Sequence, residues 1–250
     1  MAICQITLMM RICNLYKDVV LTIMFLACTM VQAKTYIVCV GIADYPGNAN
    51  DLKQSVNDAI LVKNLYERNG EAVVSFLSDQ RATVKKIQIV MQNLFCRARK
   101  EDTVVFYFSG HGVSGGFLCY DGILTYEAIN RSMRFGASNR VVMADACLSG
   151  GARTTNRRKH RNNSTNVMFF LSSRSNEVSL EPKIGTNSIF TEYLGRALSG
   201  EADMDKNKII TAKELFDYVS KEVTKESDGK QHPVMWGNFC SSMPVFIWKN

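Results

Sequence analysis

Proline is scarce, with four in 250 residues, while hydrophobic residues make up 46%. That balance excludes a disordered or low-complexity chain and is ordinary for a globular one. No Cys-x-x-Cys pair occurs, which weighs against zinc and iron–sulfur sites. No internal repeat is visible, and repeat architectures are set aside. The formal net charge of +7 raises the question of nucleic acid. The positive residues are scattered, however, except for Arg157-Arg158-Lys159-His160-Arg161, and no nucleic-acid module accompanies them. Nucleic acid is therefore not among the expected partners.

A long apolar run is missing too. Val19–Met30 is the apolar stretch near the N-terminus, about a dozen residues against the ~20 that span a bilayer comfortably. From Met10, an alternative start to Met1, Arg11 and Lys17 supply a charged region before that stretch. Val31-Gln32-Ala33 supplies the small residues that a signal peptidase reads. Residues 1–33 are thus expected to be a cleaved signal peptide, with the chain exported to a periplasm or secreted. Membrane anchorage through an uncleaved segment is the alternative, and the only membrane contact expected.

Cys4, Cys13 and Cys28 would leave with such a signal, and Cys39, Cys96, Cys119, Cys147 and Cys240 would stay. An odd number of cysteines leaves at least one free thiol. Cys39, in an apolar run, and Cys96, on a helical face, read as buried and inert.

Beyond residue 33 the chain alternates strand-like and helix-like segments. Tyr36–Ile42, Ala72–Leu77, Thr103–Phe108, Val141–Ala144 and Val167–Leu171 are apolar runs of the kind that form buried parallel strands. Helical spacing marks Val56–Arg68, with Val56, Ala59, Ile60 and Leu65 on its core face, and Thr83–Arg99, with Val84, Ile87, Met91 and Leu94. Further helices are expected over Thr125–Arg134, Ser188–Leu198 and Ala212–Val223. Gly115-Gly116 and Phe117–Tyr120 read as a hairpin, and Pro244–Trp248 as the last strand. This alternation over one domain, residues 34–250, predicts an α/β fold with a doubly wound, mostly parallel sheet of about six strands. Ala152–Asn166 has no large apolar residue and is too long for an ordinary connection, so it reads as a mobile, exposed basic linker.

Two strands end in chemistry. Thr103-Val-Val-Phe-Tyr-Phe-Ser-Gly-His-Gly112 delivers His111 to a glycine-flanked turn, and Arg140-Val-Val-Met-Ala-Asp-Ala-Cys147 delivers Cys147 to another. The carboxyl ends of parallel strands are where open α/β sheets place their ligand crevice. If the strands are neighbours, a thiol and an imidazole meet there, the pair that generates a nucleophilic thiolate. Isolation between glycines is a poor setting for a core histidine, and the Ser-Gly-Gly after Leu148 argues for an exposed turn. His160 and His232 carry no such pattern.

Phe106-Tyr-Phe-Ser-Gly-His-Gly112 and Asp145-Ala-Cys-Leu-Ser-Gly150, in that order and with His111 and Cys147 36 residues apart, resemble the caspase-like cysteine peptidases, above all metacaspases and their bacterial relatives. The resemblance covers the chain from the first strand to Gln231-His-Pro-Val-Met-Trp-Gly237. It implies the three-layer α/β/α sandwich of that family and an endopeptidase with catalytic His111 and Cys147. The oxyanion hole would be formed by the backbone N–H groups of Gly112 and Cys147.

The resemblance also bears on specificity. Caspases carry Gln-Ala-Cys at the nucleophile, where this chain has Asp145-Ala-Cys147. In metacaspases that aspartate lines the primary pocket, with a second in a Cys-x-Asn-Asp-Ala segment; here Ser55-Val-Asn-Asp-Ala59 matches, with Ser55 in place of Cys. Ser109 matches a further pocket residue. Ser55, Asp58, Ser109 and Asp145 are thus the expected pocket, and paired carboxylates favour a guanidinium or ammonium. The implied substrates are proteins or peptides with Arg or Lys before the scissile bond. Leu148 departs from the family, which usually has His there. No third member of a triad is visible.

Two further stretches carry a functional and a plain interpretation. Arg153, Arg157, Arg158, Lys159 and Arg161 make the basic linker a candidate for self-cleavage by an enzyme that prefers basic residues; otherwise they are a solvated loop. Asp203, Asp205, Asn207, Thr211 and Glu214 sit at the ligand positions of a calcium loop. Lys208 replaces its turn glycine, and Thr211 with Glu214 equally reads as a helix capping box. No cofactor is required by the expected chemistry; calcium is a candidate activator. The alternatives are an Asp-specific peptidase and a catalytically silent caspase-like fold used as a binding or scaffold module.

Overall fold

The computed structural model describes residues 33–47, 49–70, 72–147, 166–174, 177, 179–180 and 185–248. Its centre is a six-stranded sheet built from the apolar runs. Thr35–Gly41 (β1), Ala72–Ser78 (β2), Thr103–Ser109 (β3), Asn139–Asp145 (β7) and Asn166–Leu171 (β8) are parallel. Val234–Asn238 (β10) closes one edge antiparallel to β8. The order is β10-β8-β7-β3-β1-β2. Every residue of β3 is buried, as expected of a strand covered on both faces.

Alternation along the strands sorts the core into two halves. Val38, Val40, Phe106, Phe108, Val142 and Phe169 face one side, together with Ile87, Met91 and Leu94 of α2 (Val84–Phe95) and Tyr126 and Ile129 of α3 (Tyr126–Ser132). Ile37, Cys39, Val105, Tyr107, Met143 and Phe170 face the other, against α1 (Ser55–Arg68), α4 (Ile189–Arg196) and α5 (Ala212–Glu226). The result is a three-layer α/β/α sandwich, as expected. Each fully buried Phe or Ile contributes roughly 1.5–3 kcal/mol. Thr83 caps α2 by accepting from the Lys86 N–H, and Thr125 caps α3 by accepting from the Ala128 N–H. No helix among the described residues is long and apolar enough to cross a membrane.

Three expectations need correction. The face α1 buries is Ser55, Asp58, Ala59, Val62 and Tyr66, while Ile60 is 37% exposed. Polar Ser55 and Asp58 take the inward positions, so hydrophobic spacing alone misplaced the face. Pro244–Ile247 (β11) does not join the main sheet but pairs with Ile209–Thr211 (β9). The sixth strand is β10, short and ending near Gly237, where a Cβ would lie 2.0 Å from the Val167 carbonyl oxygen. Cys96 is exposed at the C-terminus of α2 rather than buried.

The expected hairpin is a small three-stranded sheet: Gly112–Val113 (β4), Gly116–Cys119 (β5) and Gly122–Thr125 (β6). It packs on the sheet through Phe117, stacked on Phe108 at 4.6 Å.

Candidate active site

Ser109, the last residue of β3, pairs in register with Asp145, the last of β7. His111 and Cys147 each lie two residues beyond that pair, so they leave neighbouring strands at the same edge of the sheet. The Gly110 N–H donates to the Asp145 carbonyl at 3.1 Å. A Cβ on Gly112 would lie 1.8 Å from the Cys147 carbonyl oxygen, so only glycine lets the two turns approach this closely.

His111 is held from two directions. Its Nε2 lies 2.8 Å from the Asn50 carbonyl oxygen. A carbonyl only accepts, so the hydrogen-bond network assigns the proton of the neutral ring to Nε2 and leaves Nδ1 as the basic nitrogen. The backbone N–H of His111 donates to the Tyr45 hydroxyl at 3.0 Å, and that hydroxyl donates to the Leu118 carbonyl at 3.2 Å. The Tyr45 ring lies 5.1 Å from the imidazole, tilted by 46°. Cys147 is partly exposed, and its Sγ accepts the Ser179 N–H at 3.2 Å.

On the α1/α4 side of the sheet, at the end where β3 and β7 stop, two carboxylates are buried. Asp58, in the first turn of α1, is wholly buried. Its Oδ1 accepts from the Asn187 amide at 3.0 Å and the Ser188 N–H at 2.9 Å. Its Oδ2 accepts from the Ser188 hydroxyl at 2.6 Å and the Ser109 hydroxyl at 2.9 Å. Asp145 accepts at Oδ2 from the Thr191 hydroxyl at 2.8 Å and the Thr191 N–H at 3.2 Å. In effect Asp145 caps α4 from another strand, since the N-cap Ser188 spends its hydroxyl on Asp58.

Neither carboxylate forms an ion pair among the described residues. Burial pushes the Asp58 carboxyl up, against the pull of the Ser188, Asn187 and Ser109 donors. Burial, followed by the charge of Asp58, pushes Asp145 up to about 7. Ser55 opens α1 in the same first turn and is buried, its carbonyl against Gly41, but it makes none of the carboxylate hydrogen bonds. Three of the four expected pocket residues thus converge and the fourth flanks them.

Comparison with known proteins agrees with this geometry. The family model described as the caspase domain matches residues 34–242. This chain belongs to the caspase-domain family. Its fold is similar to that of protein GSU0716 from Geobacter sulfurreducens, with a TM-score of 0.66 at 15% identity, covering 86% of this chain and 100% of that one. It is also similar to caspase-1 from Spodoptera frugiperda, with a TM-score of 0.65 at 13% identity, covering 87% and 91%. No curated protein matches it significantly in sequence. The caspase domain is a cysteine-peptidase type of fold, and here that fold carries both a histidine and a cysteine at its sheet edge.

Other expected positions in this caspase-domain chain can now be placed. Asp203, Asp205 and Glu214 bring ligand oxygens within 4.8 Å of one another at the β9–α5 corner. Lys208, where a calcium loop has glycine, itself adopts a positive φ of 67°. Glu214 accepts from the Thr211 N–H at 3.0 Å and its hydroxyl at 2.7 Å, and Thr211 accepts the Glu214 N–H. The capping box is therefore formed, and it engages two of the five candidate calcium ligands with each other. Asn207 hydrogen-bonds to Asp203 and Asp205.

His232 pairs with Glu177, Nδ1 to Oε1 at 2.9 Å, and steadies a loop. Residues 1–32 and the basic positions Arg153, Arg157, Arg158, Lys159 and Arg161 lie outside the described residues. Asn50, Tyr45, Ser179, Ser188 and Thr191 were missed by sequence reasoning. Asn50 and Ser179 act through the backbone, which leaves no trace in residue type, and the α4 pair resembles any polar helix start.

Proposed function

We propose that this chain is a cysteine endopeptidase that cuts after Arg or Lys, using His111 and Cys147 as its dyad. The observation that carries the proposal is the edge row itself: His111 and Cys147 each stand two residues beyond the Ser109–Asp145 pair, and Asp145 and Asp58 are buried carboxylates at that end of the sheet.

The reaction proceeds in two halves. Nδ1 of His111 takes the thiol proton, and the Cys147 thiolate attacks the substrate carbonyl. The resulting oxyanion is met by the N–H groups of Gly112 and Cys147, a donor pair in which each is worth about 3–4 kcal/mol. The imidazolium returns its proton to the leaving amine, the carbon–nitrogen bond breaks, and a thioester remains. Water, deprotonated by the same imidazole, then attacks the thioester. The acid product leaves and the thiol is restored. Hydrogen bonding of Nε2 to Asn50 keeps the ring in the tautomer both halves need. No cofactor enters these steps.

Specificity rests on Asp58 and Asp145. Two buried carboxylates without an ion-pair partner favour a cationic side chain over an acidic one. We extend the proposal to self-cleavage within Arg153–Arg161, and to export directed by residues 1–33. An active preparation that stays one intact band, unchanged by Cys147→Ala, would refute self-cleavage. Recovery of the chain from outside the cytoplasm with an N-terminus at Lys34 is the result expected for export, and recovery with residues 1–33 still attached would refute it.

The central experiment is hydrolysis of fluorogenic peptides bearing Arg, Lys or Asp before the reporter, with Cys147→Ala as control. Turnover of the Arg and Lys peptides that disappears in the variant is the expected result. Turnover of the Asp peptide alone would overturn the pocket, and turnover retained in Cys147→Ala would overturn the dyad.

A further inference from the structure

Thr191 is the third residue of α4 and is fully buried. Its hydroxyl stands between two groups, 2.6 Å from the Tyr107 hydroxyl and 2.8 Å from Asp145 Oδ2. The direction of the protons follows from chemistry. An ionised carboxylate only accepts, so Thr191 gives its proton to Asp145, and the lone pair left over accepts from Tyr107. Burial, together with the nearby charges of Asp58 and Asp145, raises the Tyr107 phenol well above its ordinary range, so it stays protonated and able to donate.

The chain therefore runs Tyr107 O–H to Thr191 O–H to Asp145. Each link polarises the next toward the carboxylate. The Thr191 N–H at 3.2 Å adds a second donor from the first turn of α4.

The surroundings show what the relay works against. Facing Asp145 are Asp58 of α1, the Tyr107 phenol of β3 and, behind that ring, the Cys39 thiol of β1. Burial raises the Cys39 thiol and keeps it neutral, so Asp58 is the charge opposing ionisation. A neutral carboxyl at 145 would meet a guanidinium with one charge fewer.

We propose that Thr191 is a specificity-determining positioning residue: with Tyr107 behind it, it fixes Asp145 in place as an anion for the basic side chain of the substrate. This rests on the reading of Asp145 as part of the substrate pocket.

The test compares Thr191→Val, which keeps the shape and loses the hydroxyl, with Thr191→Ser, which keeps the hydroxyl. KM and kcat are measured on an Arg peptide from pH 5.5 to 9. In Thr191→Val, KM at pH 7 rises about tenfold, as expected for a lost hydrogen bond to a charged group. The pH at which KM improves moves up by about one unit, kcat stays within about twofold, and Thr191→Ser restores both. Tyr107→Phe, which removes the far end of the relay, shifts the profile the same way by less and serves where Thr191→Val does not fold.

An unchanged KM profile in Thr191→Val or Tyr107→Phe, with Asp145→Asn still abolishing the Arg preference, overturns the relay and leaves the pocket standing. An Arg preference that survives Asp145→Asn overturns the pocket itself, and the role of Thr191 with it.

Discussion

Replacing Asp145 with Asn should make the fold more stable at alkaline pH while removing the proposed preference for basic substrates. Asp145 is buried and is pushed up to about 7 by burial and by Asp58. A carboxyl raised in the folded state lends its full stability below the ordinary carboxylate value near 4. It loses that contribution as pH climbs toward about 7, because the unfolded chain releases the proton first. Between pH 5 and pH 8 the parent passes through about two units of that interval. At 1.36 kcal/mol per unit, it loses on the order of 3 kcal/mol that Asn does not lose.

The residue is only 4% exposed, so solvent screening does little to reduce this figure. Asn keeps an oxygen for the Thr191 donors and carries no proton to lose over this range, so any difference in its own packing or hydrogen bonding shifts its baseline and not the pH dependence.

The assay is urea or thermal unfolding at pH 5 and pH 8, in a Cys147→Ala background so that self-cleavage cannot intervene. The difference in melting temperature between the Asn variant and its parent should grow in favour of Asn by roughly 6–12 °C from pH 5 to pH 8, at 2–4 °C per kcal/mol for a domain of this size. A difference that stays constant with pH would refute the reasoning, because it would mean that Asp145 ionises as freely in the folded chain as in the unfolded one. A gain in stability on losing a functional group is the usual mark of a strained site.

Three further outcomes can be checked. Tyr45→Phe removes the hydroxyl that bridges His111 and Leu118, so kcat should fall about tenfold with KM nearly unchanged; an equal change in both would point to general damage. Gly112→Ala would place a methyl 1.8 Å from the Cys147 carbonyl oxygen, and turnover should drop by at least about a hundredfold without loss of the fold by circular dichroism. Alkylation followed by mass spectrometry should modify Cys147, Cys96 and Cys240 in the native protein but spare Cys39 and Cys119, which are buried and whose thiols are pushed up by that burial; rapid labelling of Cys39 would contradict the sheet.

The parallel strands were legible because continuous apolar runs ended by glycine have few other uses, and Thr103–Ser109 is buried throughout. The pair of motifs ending in His111 and Cys147 was legible for the same reason. α1 was placed correctly but turned wrongly. Its inward face carries Ser55 and Asp58, and a buried aspartate looks like a surface residue until the donors around it are known. Those donors, Ser188 and Asn187, come from 130 and 129 positions away, a distance no local pattern spans. β10 was missed because an antiparallel edge strand of five residues with a glycine in it has little periodicity. The turn at Lys208 was judged costly without glycine, and the chain accepts that cost at φ 67°.

The spacing of 36 between His111 and Cys147 has a structural origin. Along the whole contact of β3 with β7, each residue faces the one 36 positions later, from Thr103 and Asn139 to Ser109 and Asp145. His111 and Cys147 continue that offset past the ends of their strands. The number itself is incidental, since the connection between the strands includes exposed turns, where added residues need not disturb the register. What matters is that both side chains stand two steps beyond the same paired row. One residue inserted within β7 would move Asp145 about 3.3 Å along the strand, turn its side chain to the opposite face and carry Cys147 out of step with His111. The same insertion at exposed Arg134 would change the spacing to the eye and leave the register untouched. The register also explains why the buried acids gather at the end of the sheet where the strands deliver His111 and Cys147: Ser109, Asp145 and Tyr107 share the face that meets Asp58 of α1 and Thr191 of α4. One row of a parallel sheet thus sets the proposed recognition and chemistry together, with α4 holding the acids from one side and the Asn50 and Tyr45 loop holding the imidazole at the edge.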